Sequence, residues 1–190
     1  MEKAFAGVPP IAWAAWNGIV NGKTATSFGP NDPITREQMA AILYRISTQD
    51  VEDEHADLYA GSANFSDVSA DDWYAGYVGY CANAGLIKGN SDGTFKPHDP
   101  LTTTEAARWL LTVIGYEAVA RGYYDADWEQ NVLLDAVKIG LLDNYIPSTS
   151  GAPTRQWLAV MLENMLTKAY TGQGPLTELI TDNTSGEYTL

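Results

Sequence analysis

Behind Thr35, apolar side chains recur at Met39, Ile42, Leu43 and Ile46, a spacing of three, one and three that gathers them on one face of a helix. The pattern returns at Ala106, Leu110, Val113 and Ile114, and again at Leu158, Met161, Leu162, Met165 and Leu166. Each run starts behind a threonine: Thr35, Thr102 or Thr154. Thr35-x-x-Gln38 and Thr102-x-x-Glu105 are capping-box sequences, in which the hydroxyl accepts from the N3 amide while the Gln or Glu side chain reaches back. Trp157 holds that place in the third run, so its cap is predicted to be weaker. A shorter apolar stretch precedes each run. The first spans residues 11–20, with Pro9-Pro10 at its start and an end near Gly18 or Gly22. The second places Trp73, Tyr77, Tyr80 and Ala84 near one face, behind acidic residues suited to a helix start. The third carries Val132, Leu133, Ala136, Val137 and Ile139. Between the helices, Asn90-Ser91-Asp92-Gly93 and Phe28-Gly29-Pro30-Asn31-Asp32-Pro33 carry turn chemistry, with short extended pieces expected there.

These helix-loop-helix units are copies of one pattern. In the middle copy, Phe65-Ser66-Asp67-Val68 and Trp73 lead to Ala84-Gly85-Leu86-Ile87-Lys88-Gly89, then Asp92-Gly93-Thr94-Phe95-Lys96-Pro97 and Pro100-Leu101-Thr102. Subtracting 67 aligns the first copy, with Gly22, Phe28, Pro30, Pro33 and Thr35. Adding 55 aligns the first half of the third copy, with Trp128, Gly140 and Leu141. A three-residue shortening of its loop then sets Thr154 opposite Thr102. A repeated unit of this size cannot bury its apolar faces alone, so the three are expected to form one body.

Composition narrows the function. With 11 Lys and Arg against 24 Asp and Glu, the net charge is −13, which argues against nucleic acid and against a polybasic membrane-surface role. Apolar residues make up 45 % of the chain, enough for a core. No apolar run reaches the roughly 18 residues of a membrane span, so no membrane insertion is expected. Residues 1–20 lack a basic segment followed by an unbroken apolar core, and no signal peptide is read there. The single cysteine, Cys81, permits no intrachain disulfide and reads as a small core residue rather than a reactive thiol. The acidic run at residues 50–54 reads as a solvated linker.

Two residues stand out for binding. Arg36 and Arg155 each follow the threonine that caps a second helix. Free amides and the positive end of the macrodipole suit a helix N-terminus to an anion, and a guanidinium adds a fork for a carboxylate. Pairing with a neighbouring acid, or plain exposure, is the alternative. Lys88 adds charge beside the middle loop or is solvated. Gly22 and Gly89 suit a close backbone approach or a left-handed turn. Catalysis has little support: His55 and His98 lack a nucleophile context, and no carboxylate pair is set apart by an apolar surround. Asn90-Ser91-Asp92-Gly93 and Asp125-Ala126-Asp127 are fragments of calcium-loop sequence without the sixth-position Gly and twelfth-position acid, so neither a metal nor a cofactor is expected.

The repeated residues resemble the S-layer homology motif. The middle copy carries Phe-x-Asp-Val, Trp, Gly-Leu-Ile-x-Gly and Asp-Gly-Thr-Phe-x-Pro. The first, lacking its N-terminal element, keeps Ile34-Thr35-Arg36-Glu37, and the degenerate third keeps Thr154-Arg155. The resemblance covers roughly residues 5–170. It implies a mainly α fold of three motifs in a pseudo-threefold arrangement around a central helical bundle. The units are residues 1–48, an acidic linker at 49–64, residues 65–116, residues 117–170, and a polar tail or linker at 171–190. It also implies a non-catalytic module that anchors a larger bacterial surface protein, binding secondary cell-wall polysaccharide through an anionic, pyruvylated sugar in grooves between motifs. Arg36 and Arg155 would contribute to those grooves, and Gly22 and Gly89 lie beside them. Trp73 and Trp128 occupy the family's Trp position, where a ring packs on sugar or stakes the first helix to the core. Thr103 stands where the middle motif's Arg belongs. A hydroxyl bonds a sugar but does not offset its charge, so the groove depending on Thr103 is expected to be weak. Two other readings remain open at this point: a protein-interaction or spacer module without glycan binding, and the non-catalytic part of a secreted polysaccharide-active enzyme.

Overall fold

The three apolar runs behind Thr35, Thr102 and Thr154 all fold as helices. A computed structural model of the chain describes residues 14–15, 18–22, 27–145 and 151–167. Its helices are α1 (Arg36–Thr48), a 3-10 helix (Ala56–Tyr59), α2 (Ala75–Asn83), α3 (Thr103–Val113), α4 (Trp128–Lys138) and α5 (Arg155–Thr167). The protein is mainly helical, as its periodicity predicts. Among the described residues, the extended pieces expected in the loops include the isolated bridges of Pro33 with Thr154 and Thr35 with Pro100. Of the helix expected over residues 11–20, Ala14 and Ala15 are helical; Trp13 and Trp16 lie outside the described residues, as does the tail at 171–190.

The first helices end alike because each has glycine where the chain turns left-handed: Gly18 at φ 67°, Gly85 at 71° and Gly140 at 72°. The residue after each glycine donates its amide five residues back, Ile19 to Ala14, Leu86 to Cys81 and Leu141 to Ala136, at 2.9–3.0 Å. These bonds cover carbonyls that a helix end would otherwise leave orphaned.

The second helices build the core. α1 packs against α2 and α3, and α3 packs against α4 and α5. Met39, Leu43, Leu110, Leu158, Met161 and Leu162 are buried. α1 departs from the amphipathic reading: every residue from Met39 to Ile46 is buried, because it is covered on more than one side. α4 departs the other way, burying Val132 and Ala136 while leaving Leu134 and Val137 exposed. Cys81 is a core residue, its thiol 3.4 Å from the Ala40 carbonyl, and burial pushes its pKa up.

The units are tied by bonds that repeat in register. The first amide of a second helix has no intrahelical acceptor. Arg36 N donates to Asp99 O (3.1 Å), Thr103 N to Gly151 O (3.0 Å) and Arg155 N to Asp32 O (2.9 Å). Unit one thus binds the loop of unit two, two binds three, and three binds one. Nearer the centre, Leu101 N donates to Ile34 O and Ile34 N to Pro153 O. The matching third bond cannot form, since Pro153 has no N–H.

The segment read as a solvated linker is folded against the body. Asp50 accepts from the Tyr44 hydroxyl (2.6 Å) and from the amides of Glu54 (3.0 Å) and His55 (2.8 Å). Tyr59 packs edge-on against Tyr44 and Tyr80. Burial would raise the Asp50 carboxyl, but these bonds outweigh it and hold the pKa at about 2.

Candidate functional site

Arg36 and Arg155 start α1 and α5, and each guanidinium crosses into the loop of another unit. Arg36 donates from Nε to Phe95 O (2.6 Å), from one terminal nitrogen to Lys88 O (3.2 Å), and from the other to Glu105 Oε1 (3.4 Å). Arg155 donates from Nε to Phe28 O (2.9 Å), then to Asn21 O (2.6 Å) and Gln38 Oε1 (3.0 Å). Each acceptor of one set is the other's counterpart, 67 residues away. Arg36 also lies over the rings of Phe95 (4.8 Å) and Trp109 (5.0 Å), and Arg155 over Phe28 (4.6 Å). Both arginines are buried, and burial pulls both pKa values down; Glu105 opposes this for Arg36 and Asp32 for Arg155. Three of five guanidinium hydrogens are engaged in each bond set, which leaves two.

The cradles constrain the caps. Glu105 has two carboxylate oxygens. Oε2 closes the capping box on Thr102 N (2.9 Å) while Oε1 receives Arg36, and Thr102 Oγ1 accepts from Glu105 N (3.1 Å). Gln38 has one acceptor oxygen, and it is turned to Arg155. The box predicted at Thr35 does not form, and among the described residues Thr35 Oγ1 is buried without a partner. In the third copy Trp157 N lies a long 3.4 Å from Thr154 Oγ1, as the weaker cap predicts.

Thr103 makes the third junction differently. Its hydroxyl lies 2.6 Å from the Tyr145 hydroxyl and 3.1 Å from Gly151 O. The short side chain is consumed by local bonds, and Trp157 stands where the other cradles offer Glu or Gln.

A groove of about 440 Å³ opens beside Arg155. All three units contribute: Asn21, Gly22 and Gln38 from the first, Trp73 and Tyr77 from the second, and Arg155 from the third. Arg45 and Asp53 line it as well. Trp73 is 60 % exposed, so it does not stake α2 to the core; it stands edge-on to Tyr74 and Tyr77 with much of its surface free. Gly22 lines this groove. Gly89 serves close approach instead, because an added Cβ would meet the Phe65 ring at 2.3 Å. Burial first, then Asp53, pushes Tyr77 up to about 12.

Beside Arg36 a second cluster occupies the matching place. Arg108 lies over the rings of Trp128 (4.8 Å) and Tyr124 (5.4 Å), and Lys88 Nζ over Tyr124 (4.4 Å). Among the described residues no carboxylate lies within ion-pair distance of Arg108 or Lys88. Burial lowers the Arg108 pKa. Sequence reasoning singled out Lys88 but missed Arg108, Tyr124, Arg45, Asp53 and Tyr77. Helical register carried the signal: residues three and seven after the box position share its face, giving Gln38, Ala41 and Arg45 on α1, and Glu105, Arg108 and Thr112 on α3.

This arrangement defines a helical repeat module whose units share arginines and line a surface groove, with an exposed aromatic and cations at its edge. Residues 3–40 and 64–107 match the S-layer homology domain, and the chain belongs to that family through these motifs. It is 28 % identical over 149 residues to the middle cell wall protein of Brevibacillus brevis, covering 78 % of this chain and 13 % of that protein. It is 30 % identical over 165 residues to an amylopullulanase of Thermoanaerobacterium thermosulfurigenes, covering 80 % and 8 %. It is 31 % identical over 107 residues to a surface layer protein of Brevibacillus choshinensis, covering 56 % and 9 %. The chain thus spans about a tenth of the length of these relatives, and it matches the enzyme only through that small share.

Proposed function

We propose that this chain is a non-catalytic cell-wall anchoring module that binds an anionic secondary cell-wall polysaccharide in its inter-unit grooves. Family membership and relatives among surface proteins indicate an extracellular location, at the cell wall or S-layer. The observation that carries the glycan reading is the groove beside Arg155, where the exposed Trp73 faces a space of sugar size between units. An indole packs on the apolar face of a pyranose, and the buried guanidinium bonds its hydroxyls or a carboxylate. The cluster of Arg36, Lys88, Arg108, Tyr124 and Trp128 repeats that chemistry with more positive charge. A pseudo-threefold arrangement is supported by the cycle of bonds from Arg36, Thr103 and Arg155, with the Thr103 junction as its weak member. The net charge of −13 does not prevent binding, because screening limits repulsion beyond about 8 Å at physiological salt. The module serves a longer protein, either a surface-layer protein or a polysaccharide-acting enzyme, as the lengths of its relatives suggest.

The test is co-sedimentation with purified Gram-positive wall sacculi before and after acid extraction of the secondary polymer. The reading expects binding that disappears on extraction and weakens in Trp73→Ala. Failure to sediment with sacculi from the source organism would turn the assignment toward a spacer or protein-interaction module.

A further inference from the structure

We propose that Asp53 is a built-in carboxylate ligand of the groove beside Arg155, occupying Arg45 and restricting that groove to uncharged sugar, while the Arg36–Arg108 cluster takes the anionic one. The inference rests on the glycan reading above and adds a division of labour between two sites that the repeat alone would make equivalent.

The two sites share an arginine cradle and a tryptophan but differ in their second cation. Beside Arg36 that cation is Arg108, accompanied by Lys88; Glu105 is the nearby carboxylate, and it is spent on Arg36 and the Thr102 cap, so among the described residues none lies within ion-pair distance of Arg108 or Lys88. Beside Arg155 it is Arg45, one helical turn further along the same face. Asp53 holds Arg45 through two bonds, Nε to Oδ1 at 2.8 Å and a terminal nitrogen to Oδ2 at 2.6 Å. This fork-on-fork geometry is the one a ligand carboxylate would seek. Arg45 is 6 % exposed, and its side chain lines the groove together with Asp53 and Trp73. The carboxylate is delivered by the folded 49–64 segment, whose backbone turns left-handed at Asp53 (φ 62°), a conformation Asp tolerates better than most side chains.

An incoming carboxylate must displace Asp53 from Arg45 or sit beside its negative charge. Displacement exchanges two charge-assisted bonds for two others and leaves Asp53 in need of solvent. A neutral sugar faces neither cost, since it can pack on Trp73 and bond the remaining Arg155 hydrogens. Lys96 and the other surface cations play no part, because none lines this groove.

The test is isothermal titration of the full chain with a pyruvylated hexosamine methyl glycoside and, separately, its unpyruvylated parent. The wild type should take up one equivalent of the anionic sugar. Asp53→Asn should take up two, the new site gaining roughly tenfold or more in affinity as Arg45 is released. Asp53→Glu should return the stoichiometry to one. Thermal unfolding of each variant separates a lost fold from a lost site. If the wild type binds the anionic sugar and Asp53→Asn changes neither stoichiometry nor affinity, the inference is overturned while the glycan reading stands. If neither protein binds either sugar, the glycan reading falls and takes the inference with it.

Discussion

At two junctions between units an arginine crosses the seam, and at the third a threonine does. The backbone bond beneath is the same in all three, from the first helical amide to a carbonyl of another unit's loop. What differs is the receiving side. Arg36 and Arg155 meet two loop carbonyls, an aromatic face and a Glu or Gln oxygen. Across from Thr103, Trp157 offers no such oxygen. A guanidinium needs that complete set of acceptors to be worth burying, since an unmatched buried cation costs several kcal/mol. The threonine is therefore matched to its surroundings rather than a simple loss.

The largest effect expected follows from removing the arginine with a charged partner. Arg36→Ala leaves two buried carbonyls and the Glu105 carboxylate unanswered and should cost about 3–5 kcal/mol in urea unfolding. Arg155→Ala loses side-chain bonds to neutral acceptors, with the Asp32 carboxylate nearby, and should cost less, about 2–3 kcal/mol; equal losses would mean that the direct Glu105 pair adds nothing. Thr103→Arg sharpens the comparison from the other side. If the side-chain oxygen decides, the new guanidinium lacks it at Trp157 and stability falls by ~1–3 kcal/mol, as for other overpacked sites. A gain in thermal midpoint would break the argument.

The folded acidic segment gives a pH-dependent prediction. Asp50 is held at about 2, below its ordinary 3.8. Its contribution to stability is complete above about pH 4 and is lost as pH falls toward 2. Asp50→Asn should be less stable at neutral pH and should flatten that part of the acid limb in pH-jump unfolding. The smallest effect concerns the caps. Gln38→Glu supplies a second acceptor oxygen, so Arg155 and the Thr35 backbone can both be served, and α1 should gain about 0.5–1 kcal/mol.

Much of the fold was legible because its signals are local. Apolar spacing located α1, α3 and α5, and the glycines at 18, 85 and 140 ended the first helices. The threonines marked the second-helix starts. The failures share one cause. The box at Thr35 was sound as local chemistry, but the Gln38 side chain is turned instead to an arginine 117 residues away. The segment at 49–64 looked solvated because its side chains are polar, yet Asp50 and Asp53 find Tyr44 and Arg45 on α1. Of the candidate site, Arg36, Arg155, Trp73 and Gly22 could be picked out singly. That the arginines are spent largely on holding the units together was not legible, because their carbonyl partners belong to another unit's backbone. Arg108 and Arg45 required the copies to be read face by face.

The central claim is that the ligand is met by groove-edge residues and not by the cradles alone. Arg108→Ala tests it most directly, because among the described residues Arg108 makes no inter-unit hydrogen bond or ion pair, only its packing over Tyr124 and Trp128. Its binding isotherm on wall sacculi should weaken roughly tenfold or more, while thermal unfolding stays cooperative and its midpoint falls only slightly from the lost ring contacts. Wild-type affinity in that variant would contradict the account.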